Sequence, residues 1–479
     1  MTDVESSPPA PRTAPDPALT ADDLVRLTGG RLLNRSERPS RGAAVDSRLV
    51  EASQLFVALP GERTDGHAYL ADAIARGATA LIVTRPLPDP TAVGDVTVVR
   101  VADPLAALGA IAAGWRQRFQ PLVVGVTGSI AKTSTKEAIA AVLGHRMRTL
   151  RNEGNLNNEV GLPLTLLRLG PEHEAAVLEM GMYVGGEIAE LAAIARPHIG
   201  VVTAVQPVHL ARIGSLAAIE AAKGELLEAL PADGTAILNA DDPIVRGMGS
   251  RTQASSLSYG FSDDADIGAE GVTSIGLDGM RFVLRAGGTR RPLTIPALGP
   301  LSVHNALAAA AVARAAGLSV DDIEAGLATG WSAPHRAEVV RLGSVTVVDD
   351  SYNASPRSVV AALQLLAGLP GRRVAVLGEM LELGESSDEG HRAVGEAAAQ
   401  TVEWLMVVGR GADGIAEGAL AAGMAPTKVV RARDVEHAGE LVIPRLRDDD
   451  VVLIKASRGI ALDLLVDELR HEFGQDLRP

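Results

Sequence analysis

The chain has 479 residues, too many for one hydrophobic core, so two to four domains are expected. Its formal charge of −14 excludes the broad basic face that a nucleic-acid partner requires, so an anionic ligand must be met by local positive groups. Aromatic residues make up only 3%, which leaves Ala, Val, Leu and Ile to fill the cores, and the absence of cysteine excludes disulfides and thiolate metal sites while permitting a reducing cytoplasm.

Residues 1–18 carry Pro8, Pro9, Pro11, Pro15 and Pro17, lack the apolar core of a signal peptide and read as a disordered tail. No later segment is long and apolar enough to insert in a membrane. Residues 19–102 read as a small α/β domain. Leu19-Thr20-Ala21-Asp22-Asp23-Leu24 looks like a capped helix start, strands are predicted around Gly42 to Val45, Gln54 to Ala58 and Ala78 to Val83, and a helix from Tyr69 to Arg76. Asp46-Ser47-Arg48, just past a strand end, either caps a turn or grips an anion.

Residues 103–332 begin with a helix from Pro104 and then present Val123-Val124-Gly125-Val126-Thr127-Gly128-Ser129-Ile130-Ala131-Lys132-Thr133-Ser134. The apolar run predicts a buried strand, the small residues a turn, and Lys132-Thr133 the opening of an Ala-rich helix. Such a junction cradles phosphate, because unpaired amide N–H groups and the helix dipole both point at the ligand. The common P-loop spacing would place glycine at 126 and 131, where this chain has Val126 and Ala131. A purely structural turn is the competing reading.

Strands and helices are expected to alternate through the rest of this region, as in a parallel sheet whose ligands collect at the carboxyl ends of its strands. Thr133, Glu179 and His209 fall at or beyond such ends and offer donors suited to magnesium or manganese bridging phosphates. A capping carboxylate and a structural histidine are the alternatives for the last two. Only five of the 45 basic residues are lysine: Lys132, Lys136, Lys223, Lys428 and Lys455. Lys223 lies on the apolar face of its helix, either snorkelling past the core edge or held at a site as a metal-binding carbamate.

Residues 333–479 read as a second doubly wound domain with strands Val345 to Val348, Val374 to Leu377, Trp404 to Val408 and Val451 to Ile454. Asp349-Asp350-Ser351-Tyr352-Asn353 and Lys455-Ala456-Ser457-Arg458 follow two of them. Each run either caps the next helix or contributes to a second ligand-binding face.

Four runs carry a resemblance to a known family: Gly154-Asn155-Leu156-Asn157-Asn158-Glu159-Val160-Gly161-Leu162-Pro163-Leu164-Thr165, Glu179-Met180-Gly181, Asp350-Ser351-Tyr352-Asn353-Ala354, and Leu377-Gly378-Glu379-Met380-Leu381-Glu382-Leu383-Gly384. With them the chain resembles the Mur ligases of peptidoglycan precursor synthesis, over nearly all of its length after the tail. The resemblance implies three α/β domains: an N-terminal domain binding the UDP precursor, a central P-loop-type parallel-sheet ATPase and a C-terminal Rossmann-like ligase domain. The last two runs are similar to those of the member that uses ATP and Mg2+ to add D-Ala-D-Ala to UDP-N-acetylmuramoyl-tripeptide through an acyl phosphate. A cytoplasmic monomer is expected.

By that resemblance Gly125, Thr127, Gly128, Ser129, Ala131, Lys132, Thr133 and Ser134 form the phosphate loop. Asn305 lies on the adenine side, and Arg336 and Asp350 reach the nucleotide from across the cleft. Thr133 and Glu179 serve one magnesium ion; His209 and a carbamylated Lys223 help hold a second. Lys132, Lys223 and His209 are the catalytic set. Ser47, Arg48, Asp65 and His67 match the UDP-precursor end, and Asn157, Asn158, Tyr352, Asn353, Lys455, Ser457 and Arg458 match the remaining substrate positions. Three departures stand out: Ala131 in place of the last loop glycine, Leu301-Ser302 in place of His-Asn ahead of Asn305, and Ser355 in place of asparagine. A methyl group at 131 with positive φ would cost about 1–2 kcal/mol. Two other functions fit such departures: a non-catalytic precursor-binding relative with a disabled loop, and an amide ligase of the same fold acting on another substrate.

Overall fold

The computed structural model describes residues 17–61, 64–86, 93–207 and 213–473. Most of the predicted tail lies outside them, as does His209. Ala18, placed in that tail by the sequence, is tied down, its carbonyl accepting from Arg118 at 2.7 Å.

Three sheets follow one another along the chain. The first contains β1 (Arg31–Asn34), β2 (Ala43–Ala44), β3 (Leu55–Val57), β4 (Ala80–Val83) and β5 (Thr97–Arg100) in the order β1-β5-β4-β3-β2, parallel except for β1. It is entered by the helix Ala21–Thr28, capped at its start as the sequence predicts: the Thr20 hydroxyl accepts the Asp23 N–H and the Asp23 carboxylate takes the Thr20 N–H. This sheet does not own its core. Leu19, Leu24, Val57, Ile82 and Val99 pack in one cluster with Leu108 and Ile111 of the helix Pro104–Arg116 and with Val123 and Leu178 of the next sheet.

The central sheet contains β6 (Leu122–Thr127), β7 (Thr149–Arg151), β8 (Ala175–Glu179), β9 (Ile199–Val202), β10 (Thr235–Asn239), β11 (Ser255–Gly260), β12 (Ile267–Ser274), β13 (Met280–Ala286) and β14 (Thr289–Ile295). Its order is β14-β13-β12-β11-β10-β9-β6-β8-β7. From β7 to β12 neighbouring strands are parallel. The expected helix–strand alternation stops at β11: β12, β13 and β14 form an antiparallel meander with no α-helix between them, only the short 3-10 turn Gly276–Asp278. The cause is local. Met280–Ala286 alternates buried and more exposed side chains with period two, and the turn Gly287-Gly288 has φ of 55° and 81°, the left-handed pair that a two-residue hairpin needs.

The third sheet contains β15 (Glu338–Leu342), β16 (Val345–Asp349), β17 (Arg372–Gly378), β18 (Trp404–Val408), β19 (Val429–Ala432) and β20 (Asp450–Lys455) in the order β15-β16-β20-β17-β18-β19. Only β15 runs antiparallel. Separate apolar clusters cover its two faces, one around Leu363, Leu377 and Leu453 and the other around Val376, Ile454 and Leu465. The doubly wound arrangement follows from strands apolar on both sides. Leu298 of the central region packs into the first of these clusters, joining the two domains.

Candidate active site

In the central sheet β9, β6 and β8 are adjacent, so their carboxyl ends meet at one place. The loop after β6 leads into the helix Lys132–Gly144, whose first turn has neither a side-chain cap nor an acidic residue. Its first amide N–H groups therefore remain available to an anion. The segment after β9 clamps this loop. Thr203 donates to the Ile130 carbonyl at 2.6 Å, the Ser129 N–H donates to the Ala204 carbonyl at 2.8 Å, and the Ser129 hydroxyl to the Gln206 carbonyl at 3.0 Å. Thr127 is spent on the Met180 carbonyl at 2.9 Å, tying the loop to β8. Gly128 has φ 151°, and a Cβ there would lie 1.9 Å from the Thr203 hydroxyl, so this glycine is required by close approach. Ala131 has φ 62°, left-handed, at the position where the common motif has glycine.

Three groups converge on the loop with unspent capacity. Lys132 donates to the Gly128 carbonyl at 2.7 Å and, among the described residues, has no carboxylate in contact. Burial lowers its pKa, Arg336 adds to that effect and Glu179 opposes it. Glu179 is 2% exposed; its Oε1 accepts from Asn157 Nδ2 at 2.8 Å, while its Oε2 is buried without a partner. Lys223, on the helix Leu216–Glu228, is 3% exposed, and burial next to Lys132 lowers its pKa to about 7. Among the described residues no three His, Asp or Glu side chains form a metal cluster. The bare Glu179 oxygen and the Thr133 hydroxyl are nonetheless hard donors of the kind that Mg2+ takes together with phosphate oxygens, so the residues fit that ion.

Asn305 and Asn158 are partly committed to structure. The Asn305 Oδ1 accepts from Thr135 at 3.0 Å, and the Asn158 Oδ1 accepts the Val160 and Gly161 N–H groups at the start of the helix Gly161–Leu166. Leu301 is exposed and the Ser302 hydroxyl turns inward to the Gly299 carbonyl at 2.7 Å. His304 belongs to no motif in the sequence. Its ring lies 5.0 Å from Tyr259 and 5.6 Å from Phe261, with Nε2 3.1 Å from Asn239 Oδ1.

In the third sheet β16 and β20 are neighbours, which brings Asp350 and Lys455 together. The Lys455 ammonium donates to the Asp350 carboxylate at 2.5 Å and to the Asn353 carbonyl at 2.9 Å. Ser457 is buried and accepts the Leu381 N–H at 2.9 Å. Arg336 stacks 4.0 Å from the centre of the Tyr352 ring, and Arg458 lies 5.8 Å from it while pairing with Asp463 at 2.7 Å. Arg336 is flanked by His335 and Ala337, with φ of 62° and 53°. His335 is held by Asp349 at 2.8 Å and the Ala337 N–H by Asp350 at 3.2 Å, so two carboxylates hold the strained segment that carries Arg336.

The remaining predicted residues collect on the first sheet, at the carboxyl ends of β2, β3 and β4. Arg48 is engaged by Asp46 at 2.6 Å, and Asp46 caps the short turn at whose start Ser47 is buried. Asp65 accepts from His67 Nδ1 at 2.7 Å, and His67 Nε2 accepts the Thr84 N–H at 2.9 Å. No hydrogen bond or ion pair links these four to the phosphate loop among the described residues.

Known families match in three stretches: residues 41–116 match the Mur ligase family, catalytic domain; residues 126–313 the Mur ligase middle domain; and residues 335–458 the Mur ligase, glutamate ligase domain. UDP-N-acetylmuramoyl-tripeptide–D-alanyl-D-alanine ligase of Escherichia coli strain K12 is 38% identical over 397 residues, covering 82% of this chain and 86% of that protein. The protein of the same name from Bacillus subtilis strain 168 is 34% identical over 456 residues, covering 94% and 98%. MurF from Acinetobacter baumannii superposes with a TM-score of 0.86 at 30% identity, over 96% of this chain and 100% of that one. MurF ligase from Thermotoga maritima in complex with ADP superposes with a TM-score of 0.78 at 28% identity, over 91% and 99%. The chain belongs to the Mur ligase family.

Proposed function

We propose that the protein uses ATP to join D-Ala-D-Ala to the terminal carboxylate of UDP-N-acetylmuramoyl-tripeptide, giving the pentapeptide precursor of peptidoglycan, ADP and phosphate. The observation that carries this reading is the set of open charges around an uncapped helix N-terminus: Lys132, Lys223 and the bare oxygen of Glu179. The likeness to two ligases of that name over most of both chains supports the choice of substrates.

The substrate carboxylate must approach a polyanion, so the barrier is largely electrostatic. Lys132 supplies positive charge to the phosphoryl group in transit, and the loop amides hold the phosphates in line. The carboxylate oxygen attacks the γ-phosphorus, the bond to the bridging oxygen breaks, and ADP leaves. The amine of D-Ala-D-Ala then attacks the acyl phosphate, forms the amide and expels phosphate, losing a proton to solvent. Mg2+, held by Thr133 and Glu179, would neutralise phosphate charge. Lys223 fits a carbamate: its amine, buried and with a pKa near 7, adds to carbon dioxide and sheds a proton, and the carboxylate so formed faces Lys132 and, with His209, would help hold a second ion.

Arg336 and Asp350 act from the third domain on the nucleotide, and Asn305 turns its amide group toward the base. Tyr352, Asn353, Asn157, Asn158, Lys455, Ser457 and Arg458 line the path of peptide and dipeptide, and Ser47, Arg48, Asp65 and His67 receive the UDP end. The working units are residues 19–102, 103–332 and 333–479. Action as a monomer in the cytoplasm, where ATP is supplied, is part of this reading. Purified protein with Mg2+, ATP and both substrates is expected to release ADP only when both are present and to yield the pentapeptide product. ADP release that does not depend on D-Ala-D-Ala, or the absence of product, would overturn the assignment.

A further inference from the structure

Lys136 sits one turn beyond Lys132 on the same helix and is 0% exposed, so it touches neither solvent nor the cleft. Its ammonium pairs with Glu137 at 2.9 Å and donates to the backbone carbonyl of Asn152. Glu137 is shared with Arg151 at 2.7 Å. Asn152, also buried, clamps the backbone of Glu179 from both sides. Its Oδ1 accepts the Glu179 N–H at 2.9 Å, and its Nδ2 donates to the Glu179 carbonyl at 3.0 Å and to the Leu156 carbonyl at 2.8 Å. Asn157 then takes one carboxylate oxygen, and the other is left bare.

Burying an ammonium is costly, and a leucine or methionine would fasten this helix to β7 and β8 without that penalty. Here the charge ends on the residue that grips Glu179. From this chain of contacts we infer that Lys136 and Asn152 are positioning residues: they fix the backbone and χ1 origin of Glu179 so that Oε2 faces the cation. The inference rests on the proposed role of Glu179 as a magnesium ligand. Partners of that kind orient a ligand before the ion arrives, and their loss weakens metal binding without touching the metal.

The test uses the full chain loaded with ADP and titrated with Mn2+, followed by electron paramagnetic resonance of the free ion. Asn152→Leu and Lys136→Met are expected to weaken Mn2+ binding about 10- to 100-fold, with metal-free ADP affinity unchanged and the folded circular-dichroism spectrum retained. Glu179→Gln serves as the reference and should weaken it at least as much. If Glu179→Gln loses Mn2+ while folded Asn152→Leu binds it as the parent does, the brace is only structural and the inference fails. If Glu179→Gln binds Mn2+ normally, the ligand role of Glu179 falls and the inference with it. Should Lys136→Met or Asn152→Leu not fold, Asn152→Asp carries the same expectation and the same refutation, since it keeps the size of the side chain but loses the donor to the Glu179 carbonyl.

Discussion

At the carboxyl ends of β6 and β8 the charged groups are left open, whereas at the matching ends of β16 and β20 they are closed on one another. Among the described residues Lys132 and Lys223 face no carboxylate in contact and Glu179 keeps a bare oxygen. In the third domain Lys455 is paired with Asp350, Arg458 with Asp463 and His335 with Asp349. Both edges belong to parallel strands and both carry predicted ligand residues. The difference separates two tasks. Open charges in a buried setting are stabilised only when a ligand of opposite sign arrives, so they belong to the reacting centre. Closed pairs are complete before any ligand comes, and Asp349 and Asp350 in addition hold the segment that carries Arg336.

The contrast is broken most directly at Lys132. Lys132→Ala is expected to lower turnover about a thousandfold, or ~4 kcal/mol, through loss of transition-state charge stabilisation, with the fold intact; steady-state ADP release measures it, and a near-normal kcat would contradict the assignment. Asp350→Asn should act on stability in addition to any loss at the nucleotide. It strands the buried Lys455 ammonium and is expected to cost about 3 kcal/mol, read by urea unfolding, with part recovered on adding Lys455→Met.

Lys223→Ala should cost about 10- to 100-fold in activity, with partial rescue by short-chain carboxylates that replace the carbamate. Its pH behaviour has a definite sign. The folded pKa, about 7, lies below the ordinary lysine value of 10.5, so between those limits the unfolded chain binds more protons than the folded one. Metal-free stability therefore rises with pH across that window, and Lys223→Met should lack the rise. The smallest effect is at Ala131. Relief of its left-handed φ by Ala131→Gly, less the entropy of a glycine, should stabilise the protein by about 0.5–1 kcal/mol. Calorimetry should find the affinity for an ATP analogue little changed; a large gain would favour a loop disabled by the methyl group.

Much of this site is legible in one dimension. The strand, turn and helix from Val123 onward lie where apolar run and small residues put them, and Glu179 ends its strand as predicted. Asn152 was not legible: an asparagine two residues before a glycine reads as a turn former, and its grip on Glu179 spans 27 positions of sequence. The meander after β11 departs from the expected helix–strand alternation because Met280, Phe282, Leu284 and Ala286 bury one face with period two and the Gly287-Gly288 turn sends the chain straight back into the next strand. The conformation of Ala131 was open in the sequence, since the methyl group permits either sign of φ at different cost.

The sequence by itself determined the local chemistry: which strands are apolar on both faces, where helices begin, and which few lysines are kept in a chain that otherwise uses arginine. Only the tertiary structure decided which charges remain open. Pairing depends on strand order, which brings β6 beside β8 and β16 beside β20. A side chain's partners are chosen by distance in space, and burial raises the consequence of having none.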